Sequence, residues 1–121
     1  MTRSSATRGD DRGAASIVGC AVMAALTVVA ALVVHAGSVV ATRHRAQAAA
    51  DLAALAVAAA LDRGAMSACT RADAVAGRMR VRVVRCEIRG WDAVVETAAP
   101  TSPVFGGRDA TAIARAGPAR G

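Results

Sequence analysis

Between Ala14 and Thr42 no side chain carries a formal charge, and His35 is the one basic side chain there. At about 1.5 Å of rise per residue, a helix from Ala14 to Val34 reaches about 31 Å, enough to cross a hydrocarbon layer of about 30 Å. The run SIVGCAVMAALTVVAALVV shows no polar face. A helix that is apolar all round needs lipid, or the interior of a much larger protein, around it. A chain of 121 residues has no such interior to offer. The reading that follows is a membrane-spanning helix, with His35 near the interface rather than at mid-bilayer. Two rivals share parts of the pattern. A cleaved secretory signal also has a basic start, an apolar core and small residues, although its apolar core is usually shorter, about 7 to 15 residues. Ile17, Val18, Gly19 and Cys20 spell a lipobox-like tetrad, but too little apolar sequence precedes Cys20 for a lipoprotein signal.

Composition narrows the functions available. Trp91 and Phe105 are the only aromatic residues and Tyr is absent, which leaves no bulk for a large soluble core and no stacking surface for bases. The formal charge of +6 is carried entirely by Arg on the basic side. Arg78, Arg80, Arg82, Arg85 and Arg89 form a cluster that could attract nucleic acid or anionic lipid, and the missing aromatics argue against nucleic acid. No acid and base pair, no phosphate-binding Gly loop and no metal-ligand spacing is present, so no enzyme and no cofactor is expected. Arg3, Arg8 and Arg12 precede the apolar run while Arg43 and Arg45 follow it, a bias that favours a cytoplasmic amino terminus and an extracytoplasmic remainder.

The pattern along the chain predicts an α+β protein. Residues 1–13 are polar, Gly- and Arg-containing and without periodicity, and read as a disordered cytoplasmic tail. Residues 14–63 read as the transmembrane helix with an Ala-rich extension, since RHRAQAAADLAALAVAAAL has strong helix formers and no Pro or Gly before Gly64. On the extension Gln47 and Asp51 are one turn apart, while Leu52, Leu55 and Ala59 share another side. The alanines would let a neighbouring helix or sheet approach closely. Residues 64–99 read as a small α/β unit. In it Ser67 or Thr70 caps a short helix to about Met79, and Val84, Cys86 and Ile88 alternate with Arg85, Glu87 and Arg89 as a half-buried strand. Val81 and Val83 fall out of phase with that alternation, which points to a bulge. Arg89 to Asp92 turn the chain into a second strand near Ala93 to Thr97, and residues 100–121 read as a loop, an edge strand from Ala110 to Arg115 and a frayed end. The sheet is thus a hairpin or three antiparallel strands.

Cys20 lies in the apolar run, whereas Cys69 and Cys86 follow it. Outside the cytoplasm a Cys69–Cys86 bridge would close a loop of about 18 residues and stabilise it by about 3 kcal/mol in the chain-entropy account. A domain of about 55 residues with few aromatics benefits from such a staple. Unpaired buried thiols are the alternative. Zinc is disfavoured because there is no Cys-x-x-Cys and neither His35 nor His44 is near the pair, and a catalytic thiol lacks an adjacent base.

Gln47, Ala48, Ala49, Ala50, Asp51, Leu52, Ala53, Ala54, Leu55 and Ala56, following one span and Arg43, His44 and Arg45, resemble the Q-x-A-A-D-x-A-A-L-A block of the TadE/TadG-like proteins. Arg12 and Gly13 match that family's Arg-Gly opening. The short length, the cysteine pair and the terminal Ala114, Arg115, Ala116, Gly117 and Pro118 are similar to the actinobacterial TadE-like proteins encoded beside helicase and secretion genes. The resemblance implies a non-catalytic, pseudopilin-like component of a tight-adherence (Flp-type) pilus or related secretion apparatus. Its implied partners are membrane lipid and other membrane proteins of that machine, as a homo- or hetero-oligomer. It makes Gln47, Ala50, Asp51, Ala54 and Leu55 the family motif and packing residues, and Gly13 the candidate processing position. Val18 stands where processed pilins carry a Glu, which argues against cleavage and against a major fibre subunit. The reading from a different class is a small secreted binding protein, released by cleavage of the apolar segment.

Overall fold

The computed structural model describes residues 10–103 and 106–118. Helix α1 (Asp10–Ala58) is followed by a 3₁₀ turn (Leu61–Arg63), helix α2 (Ala65–Arg78) and strands β1 (Arg82–Arg89), β2 (Asp92–Ala99) and β3 (Ala110–Ala116). The α+β architecture read from the sequence is borne out. Two compact units divide at Gly37 and Ser38. In the first, the described residues form the amino-terminal part of α1. The second contains everything else.

The second unit is a three-stranded antiparallel sheet in the order β1-β2-β3, with the carboxy-terminal part of α1 and α2 laid on one face. Ala50, Ala53, Ala54 and Val57 of α1 meet Ala68 and Ala72 of α2 and Ala93, Val95 and Ala114 of the sheet. Ala46 and Ala49 meet Ala76, Val81 and Ala99 in a second cluster. The largest fully buried side chains are only Val57, Val95 and Thr97. The β1–β2 connection is the two-residue loop Gly90–Trp91, with Arg89 opposite Asp92. Gly90 has φ +66° and supplies the positive φ that a type II′ hairpin turn requires at its first central residue.

Several local expectations are corrected. The apolar-driven helix starts at Asp10, four residues before Ala14, because a nucleated helix propagates at the gain of one hydrogen bond per residue. Residues 1–9, on which most of the expected tail falls, lie outside the described residues, as do Phe105 and the last three positions. At its other end α1 stops at Ala58, short of Gly64. From there the N–H groups of Ala60, Arg63 and Gly64 reach carbonyls three residues back, a tightening typical of helix ends. Gly64, at φ +96° and ψ 152°, occupies a region open essentially to glycine alone and starts α2 as its N-cap. Neither Ser67 nor Thr70 caps that helix, and the Thr70 hydroxyl instead donates to the Met66 carbonyl at 3.0 Å.

The bulge in β1 falls between Val83 and Arg85. It takes up Val84, which is exposed, so Val83 joins Cys86 and Ile88 against the core in its place. A strand that gains one residue reverses the facing of what precedes it.

Candidate functional site

In the first unit, α1 from Gly13 to Val34 has no buried side chain. Ile17, Met23, Leu26, Leu32 and Val33 all stand outward, and Cys20 is exposed among them. The Thr27 hydroxyl donates to the Met23 carbonyl at 2.8 Å, which satisfies its one polar hydrogen within the helix. This helix is long and apolar enough to cross a membrane and is compatible with a single-pass anchor. Gly13 lies exposed near its beginning, with open space around it.

In the second unit the Gln47–Ala56 block divides by side. Ala46, Ala49, Ala50, Ala53, Ala54, Val57 and Ala60 form one fully or almost fully buried stripe at helical spacing. Absence of side-chain bulk lets the sheet come onto the helix backbone itself. The Thr97 hydroxyl, fully buried on β2, donates to the Ala46 carbonyl at 2.9 Å, a contact spanning 51 positions. Gln47, Ala48, Asp51, Leu52 and Leu55 face outward, and Ala56 is half-buried. Gln47 Nε2 donates to Asp51 Oδ1 at 3.0 Å, and both side chains are exposed. Leu52 and Leu55 are 50% and 59% exposed, so the packed side is that of the alanines.

Cys69 on α2 and Cys86 on β1 form a disulfide, with Cα atoms 6.0 Å apart. It ties the helix to the strand it lies upon. On the opposite face of the sheet the charges are paired. Arg85 lies 3.6 Å from Glu87 and 3.8 Å from Glu96, Arg89 is 2.7 Å from Glu87, and Arg115 pairs with Asp92. Arg82 reaches Asp109 at 2.7 Å. Three arginines of the sequence cluster are therefore already engaged by carboxylates, which weakens the field they would present to a nucleic acid.

The structure thus brings Cys69 to Cys86, places Ala50 and Ala54 in the core, and leaves Gln47, Asp51 and Leu55 on the surface. Among the described residues no group of three or more His, Cys, Asp or Glu side chains is arranged to hold a metal ion. Thr97 was not legible as a site residue, since a Thr in an alternating strand gives no sign of which helix carbonyl it will meet. Nor was Asp109, which sits outside any periodic segment.

Residues 13–60 match the family described as "Putative Flp pilus-assembly TadE/G-like". The resemblance drawn from the Gln47–Ala56 block is borne out over that stretch. The Mycobacterium tuberculosis protein named "Apoptosis inhibitor Rv3654c" is 56% identical over 52 residues, 43% of this chain and 62% of that relative. The chain thus spans about three fifths of the relative's length, and the actinobacterial source agrees with the narrower resemblance. No solved structure matches.

Proposed function

We propose that this chain is a non-enzymatic, membrane-anchored, pseudopilin-like component of a tight-adherence (Flp-type) pilus or a related secretion apparatus. The observation that carries the reading is the division of labour along α1: its first part is apolar on every side, and its second part is the platform for a small sheet. The family match covers both parts. The amino terminus lies in the cytoplasm and the disulfide-tied unit outside it, where the Cys69–Cys86 bridge is stable. Gln47, Asp51 and Leu55 form the exposed side of the motif and contact other subunits of the machine, identical or different, while Ala50 and Ala54 hold the fold. Val18 in place of the pilin Glu argues against processing at Gly13 and fits an accessory rather than a fibre-forming subunit.

The second reading, a small secreted binding protein freed by cleavage of the apolar segment, draws on the name of the mycobacterial relative, an apoptosis inhibitor. Fractionation of cells carrying a carboxy-terminally tagged chain separates the two. Full-length material in the membrane, with its tag accessible to external protease and both Cys69 and Cys86 protected from alkylation, is the expected result. A shortened form in the culture fluid would replace the anchored reading with the secreted one.

A further inference from the structure

The second unit segregates its charge by end. Ala46 and Ala49 of α1 pack with Ala76 and Val81, and with Met79 and Ala110 beside them. That places the end of α2 and the starts of β1 and β3 around the first turns of α1 beyond Thr42. Arg43, Arg45, Arg78, Arg80, Arg82 and Arg108 therefore gather there, all exposed, although they come from three separate stretches of the sequence. Asp109 stands among them and is held by Arg82. At the opposite end, around Leu61 and Trp91, Asp62, Glu87 and Asp92 balance Arg63, Arg89 and Arg115. A groove at the basic end is lined by Arg43, His44 and Gln47 on one wall and by Thr111 and Asp109 on the other, the Asp109 carboxylate being paired with Arg82.

Arg80 adds an independent observation. The N–H of Arg80 reaches the Gly77 carbonyl at 3.1 Å and that of Val81 reaches the Ala76 carbonyl at 3.0 Å, the paired bonds of a Schellman helix end. Arg80 itself has φ +56°, a conformation for which glycine is the unstrained choice, yet the chain holds an arginine there.

We propose that this basic collar binds the phosphate headgroups of anionic phospholipids, and that the groove between Arg43, His44, Gln47 and Thr111 seats one of them. The proposal rests on the membrane-anchored reading of α1. Lipid is favoured over a free anion because the collar begins at Arg43, directly after the uncharged run. Anionic lipid also draws on the arginines at that end other than Arg82, which Asp109 holds, whereas a single small anion draws on the groove alone.

The test is native mass spectrometry of the full chain released from detergent micelles holding equal amounts of phosphatidylglycerol and phosphatidylcholine. Phosphatidylglycerol should be retained roughly tenfold over phosphatidylcholine, and the preference should fall as ionic strength rises. Arg43→Gln with Arg45→Gln should abolish the preference. Arg80→Gly should lower it with no fall in melting temperature, which separates lost charge from lost fold. Equal retention of the two lipids, a preference untouched by these changes, or displacement of phosphatidylglycerol by inorganic phosphate would overturn the proposal. Flotation with pure phosphatidylcholine vesicles reports on the anchor alone. A chain that floats without lipid preference refutes only the collar, and a chain that does not float refutes the anchor and the collar together.

Discussion

Thr97 shows how much can depend on one hydroxyl. It is fully buried, and its Oγ1 donates to Ala46 of α1, whose carbonyl lies within reach only because no side chain larger than a methyl group intervenes. A buried hydroxyl that found no acceptor would cost more than the bond contributes, so this pairing fixes the height of β2 on α1 as well as stabilising it. Thr97→Val keeps the shape and removes the donor, while Ala46 retains its place in the helix. Thermal unfolding followed by circular dichroism should show a loss of about 1 kcal/mol. In sequence Thr97 is legible as a strand residue on the same face as Val95 and no further. The identity of its partner depends on the register between a strand and a helix far apart in the chain, which no local pattern encodes.

At the level of elements, α1 is legible in kind, while its facing is decided by packing. Hydrophobic periodicity weights side chains by bulk, and by that weighting Leu52 and Leu55 should mark the buried side. The structure buries the alanines instead, because the sheet approaches too closely for anything larger. Ala54→Leu should therefore overpack the seam and cost about 1 to 3 kcal/mol or more. Leu55→Ala, on the exposed side, should change stability by no more than about 0.5 kcal/mol. Denaturant titration of the two variants side by side checks the assignment, and equal losses would contradict it. The proposed role of the outward residues predicts the converse for crosslinking to neighbouring envelope proteins, which Leu55→Ala should reduce. The β1 bulge is a similar case. Phase alone signals an irregularity near Val83, but the pairing with β2 decides that Val84 is the residue turned out.

For the molecule as a whole, the second unit is held by a core of alanines with few larger side chains, so a covalent link contributes a large share of its stability. Reduction of Cys69–Cys86 should lower the unfolding free energy by about 3 kcal/mol. Comparing melting temperatures with and without reductant measures it, and an unchanged value would show the seam to be sufficient alone. What the sequence determined by itself is what depends on neighbours along the chain: the apolar rod, the long helix, the turn glycines, the alternating strands and the motif block. Each follows from periodicity or backbone freedom within a few residues. Tertiary structure alone decided which side of α1 is covered, which carbonyl Thr97 meets, and that arginines from three stretches share one end while carboxylates neutralise the other. Those outcomes depend on distances between residues remote in the chain, and packing sets those distances through the width of a methyl group against that of a leucine.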